Sequence, residues 1–169
     1  MNQCTLTPRD TISIPEYDEC RARVVGTTID EKTLLSTDYF NNFNEVVMLL
    51  GMVGDMPEML DDIRAWKFLT YEEHFRESGL SIGPLAIEAY DQSPPDVRDR
   101  FEKLVDEIRA TIDEARRILE PPTNEDELNR LKLSTTEYSR HLQGLIAAGS
   151  GIVHAADTKV DQTMIDQMF

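Results

Sequence analysis

Apolar residues recur at helical spacing through most of the chain after residue 35. Ser36 offers an N-cap, and Phe40, Phe43, Val47, Leu50 and Val53 follow at steps of three and four, which places them on one helical face. Pro57 has no amide hydrogen to donate and its ring crowds the preceding turn, so the helix must kink or restart near Gly54. Asp55, with Glu58 three residues on, predicts a fresh N-cap. Met59 or Leu60, then Ile63 and Trp66, continue the stripe, so residues 36–66 read as one long kinked helix. Two shorter helical pieces follow, Tyr71 to Ser78 and Pro84 to Tyr90, interrupted by Gly79, Gly83 and Pro84.

The second half is more regular. Ser93-Pro94-Pro95-Asp96 has a capping serine, proline in the first turn and an acid at the positive end of the helix dipole. Val97, Phe101, Leu104, Ile108, Thr111, Ala115 and Ile118 then alternate steps of four and three, a heptad seam that Pro121-Pro122 stops. Thr123 with Asp126 begins the next helix, whose seam runs Leu128, Leu131, Thr135, Tyr138, Leu142, Leu145, Gly149 and Ile152. Two such helices joined by a short Pro-rich turn predict an antiparallel hairpin over 94–152. Gly144, Ala147, Ala148, Gly149, Ser150 and Gly151 leave room for another helix to approach closely, or else weaken the helix end, since each Gly costs about 1 kcal/mol against Ala. A heptad seam and a small-residue stretch on one hairpin predict a homo-oligomer. Residues 1–35 mix Thr, Pro, Gly and short apolar pairs, and read as an arm with a short strand at most. The fold class is therefore all-α, with an arm over 1–35, a helical bundle over 36–156 and an amphipathic segment over 157–169.

Composition narrows the partners. The net charge of −15 is spread through the chain, and binding a nucleic-acid backbone or an anionic membrane requires clustered Lys and Arg. No window approaches the roughly 20 apolar residues that span a bilayer. Nothing resembles a signal peptide at Met1-Asn2-Gln3-Cys4, which points to the cytoplasm. Cys4 and Cys20 lack the CxxC spacing of zinc or redox sites and read as ordinary reduced thiols.

Enzyme chemistry is mostly excluded. A di-iron bundle needs Glu-x-x-His pairs on two helices, and His74, His141 and His154 supply none, so no metal or other cofactor is expected. His141-Leu142-Gln143-Gly144 shares its His and Gly with the His-x-Leu-Lys-Gly stretch of histidine phosphotransfer domains. Its Leu takes a different offset and Gln143 replaces the Lys, so His141 reads as a surface histidine beside Leu142. Walker loops, GxSxG elbows and dinucleotide fingerprints are absent from the sequence.

Two features carry a functional signal. The last ten residues, Val160 to Phe169, are amphipathic if helical, with Val160, Met164, Ile165 and Met168 on one side. Gln162, Ile165, Asp166, Met168 and Phe169 stand where matching residues stand in the short segments by which the chemotaxis phosphatase and the flagellar motor switch protein dock on a response regulator. The resemblance implies a response-regulator receiver domain as the partner. The second feature is Asp38-Tyr39-Phe40-Asn41-Asn42-Phe43-Asn44-Glu45. With Phe40 and Phe43 inward, the amides and acids fall on more exposed sides, and Asn41 and Glu45, four apart, are neighbours. The chemotaxis phosphatase sets an acid and an amide one helical turn apart as Asp-x-x-x-Gln. In it the amide orients a water toward the aspartyl phosphate and the acid holds a Lys of the partner. Asp38-x-x-x-Asn42 keeps that order and Asn41-x-x-x-Glu45 reverses it.

The sequence thus points to a chemotaxis or two-component signal-transduction accessory that binds a receiver domain and hastens its dephosphorylation. The alternative is a helical scaffold or oligomerisation protein whose tail belongs to the fold.

Overall fold

The protein is all-α. The computed structural model describes residues 13–154, and these carry seven α-helices: α1 Ile14–Val24, α2 Asn41–Met52, α3 Leu60–Ala65, α4 Tyr71–Glu77, α5 Gly83–Asp91, α6 Pro95–Ile118 and α7 Glu125–Val153. No described helix is long and apolar enough to cross a membrane. Contacts divide the described residues into two compact units. One holds residues 13–37, 71–101 and 150–154, the other residues 38–70 and 102–149.

In the first unit, the stretch expected to be an arm is a helix and a structured loop. α1 begins with proline in its first turn and Glu16 beside it, then buries Cys20 and Val24 on one side. The Tyr17 hydroxyl donates to the Lys32 carbonyl (2.6 Å) and Arg21 Nε to the Glu31 carbonyl (2.9 Å), which fastens α1 to the following loop. Burial pushes the Cys20 thiol up, which keeps it protonated and inert. Ile29 and Ser36 form an isolated antiparallel bridge. Between them Leu34 takes a left-handed backbone (φ 58°), a conformation that costs a non-glycine residue roughly 1–2 kcal/mol. Its side chain is fully buried, which offsets that cost. Asp30 organises the loop by accepting from the Lys32 and Thr33 amides (2.9 Å each) and from His154 Nδ1 (3.2 Å). The Thr33 hydroxyl donates to the Val153 carbonyl (2.5 Å), satisfying an acceptor in the last turn of α7. α4 and α5 pack together, with Tyr71 stacked on Tyr90 (4.6 Å) and edge-on to Phe101 (5.8 Å).

The second unit replaces the long kinked helix with separate pieces. A 3-10 turn at Thr37–Phe40 leads into α2, which ends at Met52. Residues 53–56 are non-helical, and a second 3-10 turn, Pro57–Met59, opens α3. Proline explains the restart, and packing explains why the chain does not continue through it. A Cβ on Gly54 would stand 3.3 Å from the Lys132 Cα, so the backbones meet there. Met56 rather than Asp55 holds the N-cap position, without a side-chain bond, and the Asp55 carboxylate pairs with Lys132 Nζ at 3.3 Å. Leu60, Ile63 and Trp66 are buried as the stripe predicts.

The ends of α3 and α6 are stabilised reciprocally. Arg116 on α6 donates from Nε to the Ile63 carbonyl (3.0 Å) and from its terminal nitrogen to the Trp66 carbonyl, while its guanidinium lies over the Trp66 ring (5.3 Å). Arg64 on α3 donates to the Leu119 carbonyl (2.9 Å) and pairs with Glu120. Each cation thus meets carbonyls that a helix C-terminus leaves without partners, where the dipole is negative.

The long helices depart from the heptad seams in a regular way. On α6 the buried residues are Val97, Phe101, Leu104, Val105, Ile108, Ile112 and Ala115, with Leu119 buried just past its end, and on α7 they include Leu131, Thr135, Ser139, Leu142, Leu145 and Val153. Val97, Ile108 and Leu119 are eleven apart, as are Leu131, Leu142 and Val153. That period of about 3.67 residues per turn lies close to a straight helix, whereas a heptad imposes a left-handed supercoil. Thr111 and Ile118 therefore drift off the buried face, and Ile118 is 44% exposed. The expected caps move too. The Ser93 hydroxyl is buried and meets no hydrogen-bond partner among the described residues, and Arg98 donates its amide to the Pro94 carbonyl. Asn124 rather than Thr123 caps α7, accepting from the Glu127 amide (2.9 Å), while the Glu127 carboxylate reaches back to the Thr123 amide and hydroxyl. Gly149 is the close approach in the small-residue stretch: a Cβ there would stand 2.7 Å from Leu104 Cδ2 and 2.8 Å from Phe40 Cε1.

Two outcomes follow. Replacing Arg116 with Ala should lower unfolding free energy in urea by about 1.5–3 kcal/mol, the range for losing charge-assisted hydrogen bonds, and Lys, lacking the planar fork, should not restore it. Burial acts to raise the Asp30 carboxyl, but the Thr33 and Lys32 amides and His154 outweigh it and hold it below its ordinary 3.8. Its stabilisation is therefore present above pH 4 and lost as pH falls through the lowered folded value. Asp30→Asn should be less stable than the parent at pH 7, and the difference should shrink in urea titrations below pH 4.

Candidate functional site

The aromatic residues around the start of α2 give the predicted acid and amide cluster a fixed base. Phe43 is buried edge-on to Tyr39 (5.4 Å) and beside Trp66 (6.0 Å) and Phe68 (6.2 Å). The Tyr39 hydroxyl donates to the Leu69 carbonyl at 2.8 Å. Phe40 packs into the space that Gly149 leaves open. With Phe40, Phe43, Val46, Leu49 and Leu50 buried, the rotation of α2 is set.

That rotation separates the four candidate residues. Asn41 and Glu45 are exposed one turn apart, with exposed Asn44 between them. Asn44 Nδ2 donates to Asn41 Oδ1 (3.2 Å), which steadies the Asn41 amide and leaves its oxygen a second lone pair. Asp38, in the 3-10 turn, and Asn42 are half-buried. The Asn42 Nδ2 atom is buried and meets no acceptor among the described residues. The pair with the familiar order, Asp38 and Asn42, is thus turned partly inward, while the pair in reversed order faces out.

The sequence reading missed Met48. It is 57% exposed, one turn beyond Asn44 and Glu45, and adds an apolar patch to the polar face. Its signal was legible, because position 48 falls outside the stripe of Phe40, Phe43 and Leu50. The tail residues Gln162, Ile165, Asp166, Met168 and Phe169 lie outside the described residues. His141 is exposed beside buried Leu142. No group of three or more His, Cys, Asp or Glu among the described residues could hold a metal ion.

Searched against known protein families, curated proteins and solved structures, the chain matches none.

Because Asn41 and Glu45 are exposed and bury little, Asn41→Ala and Glu45→Ala should each keep stability within about 0.5 kcal/mol of the parent. Asn42→Leu removes a buried amide nitrogen that meets no acceptor among the described residues, and should leave the melting temperature unchanged or raise it. Thermal melts of the three variants check both statements.

Proposed function

We propose that this protein is a cytoplasmic signalling accessory that binds the receiver domain of a response regulator through Gln162, Ile165, Asp166, Met168 and Phe169. Hydrolysis of the receiver's aspartyl phosphate is an extension of that reading. The observation that carries it is the exposure of Asn41 and Glu45, one turn apart on a helix whose opposite side is locked into an aromatic core.

In this reading the tail supplies affinity. Ile165, Met168 and Phe169 bury apolar area in the partner, at roughly 1.5–3 kcal/mol for each fully buried side chain, and Gln162 and Asp166 set the register. The Asn41 carbonyl oxygen accepts a hydrogen bond from a water and aligns that water with the phosphorus. The water oxygen attacks, the bond from phosphorus to the aspartyl oxygen breaks, and carboxylate and inorganic phosphate leave, the phosphate carrying both of the water's protons. Glu45 pairs with a partner lysine. Positioning alone supplies the acceleration.

Fluorescence binding and phosphate-release assays with a phosphorylated receiver test both levels. Ile165→Ala with Phe169→Ala should remove most affinity without lowering bundle stability by more than about 0.5 kcal/mol. Asn41→Ala or Glu45→Ala should abolish accelerated dephosphorylation and keep binding. Unchanged binding by the tail variant would overturn the reading.

A further inference from the structure

We propose that the outward face of α7 is a contact between two copies of this chain, paired antiparallel about an axis midway between positions 138 and 139. The proposal is independent of the signalling reading.

At 3.6 residues per turn, Asp126, Arg130, Leu133, Glu137, Arg140, Gly144 and Ala148 fall on the side of α7 opposite buried Leu131, Leu142 and Leu145. All seven are exposed. Leu133, at 69%, is a large aliphatic side chain left in water on a helix whose inner face is already satisfied. In the antiparallel register Leu133 of each copy lies level with Gly144 of the other. A Cβ placed on Gly144 meets no heavy atom within 4 Å, so the position is an open notch in the helix surface that a leucine can enter. In the same register Glu137 of each copy lies level with Arg140 of the other. Neither residue takes part in an ion pair within the described chain. Two charge pairs and two leucine-into-glycine contacts thus arise from one alignment, and an isologous contact requires that reciprocity.

Charge favours this face over the rest of the surface as the place where a second copy docks. The whole protein carries −15, which opposes association of most of its surfaces. On this face, however, Arg130 and Arg140 balance Asp126 and Glu137. Two copies therefore meet here without net repulsion. The face from Asp126 to Ala148 is about 33 Å long, and one helix pair of that length sits at the lower end of specific interfaces, so the dimer is concentration-dependent.

Sedimentation velocity of the full chain across micromolar to submillimolar concentrations tests this. The parent should shift from monomer to dimer. Leu133→Asp and Gly144→Leu, the latter accommodated by the monomer, should each weaken the dimer at least about tenfold. Glu137→Arg should weaken it as well, and Glu137→Arg with Arg140→Glu should restore it to within about threefold of the parent. Circular dichroism confirms that each variant is folded, and the charge swap at exposed positions decides the matter if Gly144→Leu is not. A parent that stays monomeric, a dimer indifferent to Leu133→Asp, or a double swap that fails to restore association would overturn the proposal.

Discussion

The guanidinium of Arg116 holds together elements that could not stand alone. α3 has six residues, well below the length at which a helix persists in water, and it ends beside carbonyls at Ile63 and Trp66 that need donors. Arg116 supplies them and covers the Trp66 ring at the same time. Trp66 in turn borders Phe43, and Phe43 fixes the rotation of α2. Arg64 returns the favour at the end of α6. A planar cation on one helix therefore decides, three contacts away, which residues α2 presents to solvent.

Much of this was written in the apolar pattern. Phe40, Phe43, Leu50, Leu60, Ile63 and Trp66 are buried as their spacing requires, and both long helices run close to their expected bounds. The departures have physical causes. A heptad and an eleven-residue period differ by only a fraction of a residue per turn, so they agree over the first three turns of the seam, from Val97 to Ile108, and separate at Thr111 and Ile118. α1 was missed because its buried stripe is Cys20 and Val24 with half-buried Tyr17 among charged residues, too thin a signal for periodicity. Asp55 and Ser93 carry the right chemistry for caps, but Lys132 claims the first, and the second is enclosed before a proline that already sets the helix start. Long-range partners of that kind cannot be read from neighbours in sequence.

The candidate site was legible in kind rather than in detail. Spacing put Asn41 and Glu45 together and also Asp38 and Asn42. Only the rotation of α2 distinguishes them, turning the Asn42 amide nitrogen inward and adding Met48 to the outer face. Asn44, bonded to Asn41, makes the exposed amide an oriented group rather than a freely rotating one. A phosphate-facing water needs that kind of orientation, because its catalysis would come from geometry alone.

The proposal that α2's outer face meets a receiver domain is tested most directly by nuclear magnetic resonance of the labelled chain. The titrant is a receiver carrying beryllium trifluoride in place of the aspartyl phosphate. Binding in the proposed manner predicts amide shifts at Asn41, Asn44, Glu45 and Met48 together with residues 160–169, and no change around the Arg116 contacts. A spectrum that stays unchanged at saturating receiver, or shifts confined to helices other than α2, would contradict it.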